Sequence, residues 1–276
     1  MIKSTSCEGN RSGVRFLFPL MCSGVLLVTL ALADPYGPPH AVTDMAPFCA
    51  SCHASTSLAQ LPDLRPELAV LETIEEKHLK HIKNGAAYKA LTRAEAESLL
   101  KAVQWTDQNA TVSIHATAMA KRNTRVEVTV VTRGGAGPLI GVSLVDSTVR
   151  FQARPIGSSG FIVLGPPLVI GPDGKTQSRW IDRRVRGSDL GLSTILITGI
   201  NGDAVTQQVS ETRTTWVLRA PAEPGVYTIA AVFYYGTEKS HPLGTVMHNS
   251  TATPRGGASG ASGRVMFSEP LKIRIN

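Results

Sequence analysis

The sequence predicts an α + β multidomain chain, a small all-α domain followed by an antiparallel β-sandwich. Two patterns carry that prediction. Between Pro66 and Gln108 apolar residues recur at helical spacing. From Thr111 onward the pattern changes to alternating, β-branched runs separated by Gly- and Pro-rich turns. A third feature sets the compartment: the first 33 residues read as an export signal rather than as part of the fold. The predicted boundaries are therefore 1–33, 34–110 and 111–276.

Lys3, Arg11 and Arg15 form a basic start, and Phe16 to Leu32 is an apolar run. The run ends in Ala31-Leu32-Ala33, small residues at the positions a signal peptidase reads, so cleavage is expected after Ala33. The competing reading is an uncleaved anchor, because the run is close to the shortest that spans a bilayer. The chain of 276 residues carries a net charge of +7. Cleavage would remove three basic residues and one acid, leaving +5. No basic block is dense enough to argue for nucleic acid.

Cys7 and Cys22 would leave with the signal, so the mature chain keeps two cysteines, in "MAPFCASCHAS". A disulfide between Cys49 and Cys52 would close too small a loop to stabilise much. A thioredoxin-like dithiol needs a preceding strand, and a zinc site needs further ligands. Cys49, Cys52 and His53 together form C-x-x-C-H, which behind an export signal is the attachment motif of c-type haem. Two thiols add across the porphyrin vinyl groups, and the adjacent histidine is held under the iron as proximal ligand. One covalent haem c is thus the expected cofactor.

Residues 34 to about 108 resemble a monohaem class I cytochrome c. The motif lies near the mature N-terminus. "HIKNGAAYKALT" is similar to the run before the family's terminal helix, and "LTRAEAESLLKAVQWTDQ" is similar to that helix. Thr92 and Glu95 form its capping box, with Ala96, Leu99, Leu100 and Val103 on one face. The resemblance implies a small helical haem domain that moves single electrons. One departure stands out: the family's distal methionine is missing from residues 83–91, where Tyr88 occupies roughly its place.

A distal iron ligand must then come from elsewhere, or be absent. "PELAVLETIEEKHLKHIKNG" reads as one helix from Pro66 to Gly85. Leu71, Ile74, His78, Leu79 and Ile82 share a face of it, with His81 at the margin. His78 is the first candidate for the distal site and His81 the second. Met45, Met119, His115 and His40 are weaker, and an open iron also fits. Lys77, Lys80 and Lys83 point away on this wheel. With Lys89 they read either as a docking patch for an acidic redox partner or as a solvated face.

The second half reads as β-structure throughout. "TRVEVTVVT", "LSTILITGI", "TTWVLRA" and "GVYTIAAVFYYG" are its clearest strands. The Pro-Gly turn before Tyr227 resembles the closing strands of an immunoglobulin- or reelin-like sandwich, which implies a corner hydrogen bond from that tyrosine. His241, Met247 and His248 have copper-ligand chemistry but only a loose arrangement. No hydrolase, metalloprotease or phosphate-loop signature occurs.

These readings converge on an exported, periplasmic or membrane-tethered electron carrier that serves a redox protein or a membrane electron-transfer complex. Two alternatives remain. One is a gas sensor or peroxidase-like enzyme with an open iron site. The other is a structural or adhesive module whose haem only stabilises it.

Overall fold

The computed structural model describes residues 46, 49–50, 53–54, 65–84, 91–148, 152–178, 180–182, 192–236, 245–248, 251–254 and 263–276. The signal segment, His40, Met45, Cys52, Tyr88 and Lys89 lie outside these residues, as does the side-chain constellation of His241, Met247 and His248. All the described residues fall within one compact unit, Ala33–Asn276.

Four short elements precede the β-structure. They are α1 (Pro66–Val70), a π-helical turn (Glu75–Leu79), α2 (Lys80–Lys83) and α3 (Arg93–Gln108). The Thr92 hydroxyl accepts from the Glu95 main-chain N–H, while the Glu95 carboxylate accepts from the Thr92 N–H, so the capping box closes both ways.

The strands follow in two groups. The first runs β1 (Thr111–Ala116), β2 (Met119–Ala120), β3 (Arg125–Arg133), β4 (Ala136–Val145), β5 (Ile162–Val163), β6 (Leu168–Ile170) and β7 (Ile181–Asp182). The second runs β8 (Thr194–Thr198), β9 (Glu211–Arg219), β10 (Gly225–Gly236), β11 (Thr245–His248), β12 (Thr251–Pro254), β13 (Arg264–Phe267) and β14 (Leu271–Ile275). One sheet is ordered β1-β3-β9-β5, with β6 also on β9. The other is ordered β2-β14-β10-β4-β8-β7, with β13 also on β10. All pairings are antiparallel except β2 with β14.

The two sheets share one core. Val128 and Val130 of β3 and Trp216 of β9 pack with Val142 of β4, Ile197 of β8 and Phe233 of β10. In β3 and β9 every second residue is buried, because one face meets this core and the other does not. The Trp216 indole donates to the Leu192 carbonyl at 2.7 Å. The Tyr227 hydroxyl donates to the Glu223 carbonyl at 2.9 Å, pinning the turn into β10. The β3–β4 turn requires Gly134. Its φ is +100°, and a Cβ there would stand 2.8 Å from the Ala110 Cα, where α3 hands over to β1.

The expected fold class needs correction. Strands hold 41% of the described residues and helices 23%, and among the described residues no small all-α cytochrome-like domain is found. The physical reason lies in β10, which is buried on both faces over its last eight residues. Ile229, Ala231, Phe233 and Tyr235 face the inter-sheet core. Ala230, Val232 and Tyr234 face the other way and form a second cluster with Val145, Val265, Ala46, Ala50 and Ala54. The motif segment is therefore laid on the outside of the second sheet rather than enclosed by helices of its own. The helices contribute only a third, small cluster around Leu79, Ile82 and Val103.

The single helix expected over 66–85 is also broken. The chain turns at residues 71–73, and Leu71, expected on the buried face, is exposed.

Candidate metal centre

Ala46, Cys49, Ala50 and His53 are helical, and Ala54 follows directly. Ala46, Ala50 and Ala54 are spaced four apart, so they share one face. All three are buried against β10, β4 and β13. Alanine has no side chain to hold a helix off a sheet, so the backbone approaches closely. Cys49 is half-buried and packs against the same cluster. This fixes the side from which His53 leaves the segment.

The π turn positions the second histidine. Its wider backbone ring shifts the register of side chains by one position, and such insertions recur at functional sites. Here it buries the consecutive pair His78 and Leu79. The ring of His78 lies 5.6 Å from that of His53, centre to centre, with 41° between their planes. His81, one turn further on, is exposed. His115 belongs to β1, where it pairs with the Ser113 hydroxyl at 3.1 Å, and Met119 is exposed on β2.

The His53 Nδ1 lies 2.5 Å from the Gly263 carbonyl. A carbonyl can only accept, so Nδ1 carries the proton and Nε2 keeps a lone pair. The Nε2 of His78 is sealed from solvent and has no hydrogen-bond partner among the described residues. An orphaned buried nitrogen costs about 1–3 kcal/mol, so it calls for an explanation, of which a bound water, ion or cofactor is one.

Both rings are held neutral. Burial is the main cause for His53, helped by the cations of Arg264 and Lys77, while the Gly263 hydrogen bond pulls the other way. For His78, burial first, then Arg264, His53, Lys77 and His81, depress the pKa to about 2. Neutral imidazole is the form that binds a metal.

No family model matches this chain, and no curated protein compared with it is similar.

The residues present fit an iron porphyrin. Two imidazoles bonded at about 2 Å to one metal stand about 6 Å apart between ring centres, close to the 5.6 Å found here. Among the described residues no group of three or more His, Cys, Asp or Glu side chains converges. A histidine pair is compatible with a metal that brings other ligands of its own, as iron in a porphyrin does. The Nδ1–H to carbonyl bond on His53 is the outer contact that fixes a metal-bound imidazole.

The surrounding shell was not foreseen. The Arg264 side chain is 5% exposed, and its Nε donates to Asp107 Oδ1 at 2.9 Å. Its second nitrogen donates to the main-chain carbonyl of His53 at 3.0 Å. The Tyr235 hydroxyl donates to the same Asp107 oxygen. One signal was available: Asp107 lies in the last turn of α3, where the helix dipole disfavours a carboxylate, so a partner was to be expected.

The lysines divide. Lys77, expected to point away, turns inward. Its side chain is 12% exposed and pairs with Glu72 at 2.8 Å. Lys80 and Lys83 pair with Glu76 and Glu75 on the same stretch.

Proposed function

We propose that this chain is an exported c-type haem protein that carries single electrons to a redox partner or membrane complex. Cys49 and Cys52 would hold one haem by thioether bonds, with His53 as proximal and His78 as distal ligand. The observation that carries the reading is the buried, unpartnered Nε2 of His78, in a ring whose centre lies 5.6 Å from that of His53.

When bound, the haem supplies a reversible one-electron couple. The chain's own groups then have separable tasks. Ala46, Ala50 and Ala54 seat the attachment segment on an apolar floor. Gly263 fixes the tautomer of His53. The packing of Leu79 and Ile82 against Val103 holds His78 in place and excludes water from its ring. Were both His53 and His78 to hold the iron, no place would be left on it for a gas or peroxide, which favours electron transfer over gas binding or peroxide chemistry. Two histidine ligands would favour a low potential, since a thioether ligand raises it.

The test is the optical spectrum and intact mass of protein made in a host competent for haem attachment. The expected protein is heavier than its processed polypeptide by one haem, and low-spin in a way that carbon monoxide leaves unchanged. His78→Ala should lose the low-spin bands, and His81→Ala should keep them. A colourless protein of polypeptide mass overturns the reading. Bands unaltered by His78→Ala reject that residue as ligand.

A further inference from the structure

We infer that the ion pair between the buried Arg264 and the half-buried Asp107 is the positioning device of the haem site, orienting His53 and setting how readily the iron is reduced. The inference rests on the haem reading above and adds residues from the far end of the chain to it.

Two consecutive residues grip the same histidine. The Gly263 carbonyl accepts from the His53 ring, and the Arg264 guanidinium donates to the His53 carbonyl. Ring and main chain of His53 are thereby fixed together from a strand 210 residues away in sequence. Arg264 is itself aimed by Asp107, which also receives the Tyr235 hydroxyl. α3, β10, β13 and the attachment segment thus meet at one ion pair.

Stability alone does not explain the pair. Burying the guanidinium and half-burying the carboxylate costs desolvation that their attraction does little more than repay, and apolar side chains of similar size would serve as well. A buried charge beside a redox centre has a further effect. The oxidised iron porphyrin carries one more positive charge than the reduced form. The guanidinium therefore favours reduction, and the carboxylate opposes it. The two charges are placed differently: Arg264 bonds to the main chain of His53, whereas the described bonds of Asp107 are to Arg264 and Tyr235.

The experiment measures the reduction potential and visible spectrum of the intact holoprotein and of four variants. Arg264→Gln should lower the potential, and Asp107→Asn should raise it. The double variant should fall between them, and Arg264→Lys should stay nearer the parent than Arg264→Gln. Low-spin bands should persist in all of them. Opposite shifts cannot come from mere loosening, which would move both single variants the same way. Shifts of equal sign, or none, with haem still attached overturn the inference and leave the haem reading standing. If Arg264→Gln fails to accumulate, an upward shift in Asp107→Asn still supports it, and the lack of one overturns it. A parent protein without haem overturns both.

Discussion

His78 is buried and His53 half-buried, both as neutral rings, and this makes the haem-free chain sensitive to acid. The folded pKa of each lies below its unfolded value, near 6.5. As pH falls through that value the unfolded chain takes up protons that the folded chain refuses. Stability is therefore intact above about pH 6.5 and drains below it, by up to about 1.4 kcal/mol per pH unit for each ring. For His78 the loss continues down to about 2. Urea unfolding of chain made without haem attachment should show midpoints that fall steeply between about pH 7 and about pH 5. Coordination to iron would hold the rings neutral in a different way, so the loaded protein should show a much shallower slope. Equal slopes in both forms would mean that these rings are not the metal's ligands.

At the scale of elements, the attachment segment is held by what it lacks. Ala50 is completely buried against the outer face of β10 and its neighbours. Ala50→Leu should force the segment off the sheet and cost about 1–3 kcal/mol. Ala94→Leu, on the exposed side of α3, should cost little. Thermal unfolding of the two variants compares them directly, and equal effects would show that the contact with the sheet is not what holds the segment. The sequence displays half of this arrangement. The alternation in β3 and β9 is plain because one face of each is apolar and the other polar. The C-x-x-C-H pattern of Cys49, Cys52 and His53 is visible because it is a matter of spacing. Helical spacing singled out His78 because one turn of periodicity is a local property. What local pattern cannot display is the partner of a face. The alanines at 46, 50 and 54 and the unbroken apolar run of β10 each signal a second buried surface. Nothing in either run says that they meet. The break at residues 71–73 was hidden for a similar reason: the residues there tolerate a helix, and tertiary packing overrode that tolerance.

Over the whole molecule, the candidate site is completed by residues from both ends of the described chain, and this decides whether the first part can stand alone. The cluster of Leu79, Ile82 and Val103 is far smaller than the one between the sheets. So small a cluster, among the described residues, buries too little apolar surface to offset the entropy of ordering that region by itself. Its other supports come from beyond residue 110. They are Ala230, Val232 and Tyr234 beneath the attachment segment, Gly263 on the His53 ring and Arg264 against Asp107. A fragment comprising residues 34–110 keeps the whole C-x-x-C-H motif and His78 but loses all of these. It should therefore unfold without a cooperative transition. In a host competent for attachment it should yield haem-bound product whose spectrum is a mixture of coordination states, rather than the single low-spin form expected of the full chain. The complementary fragment, residues 111–276, keeps the inter-sheet core entire apart from Ala110. It should melt cooperatively, while exposing the apolar outer face of β10 and binding a hydrophobic dye there. A 34–110 fragment with a sharp melting transition and a clean low-spin spectrum would show that the sheet is a neighbour of the site and not its floor.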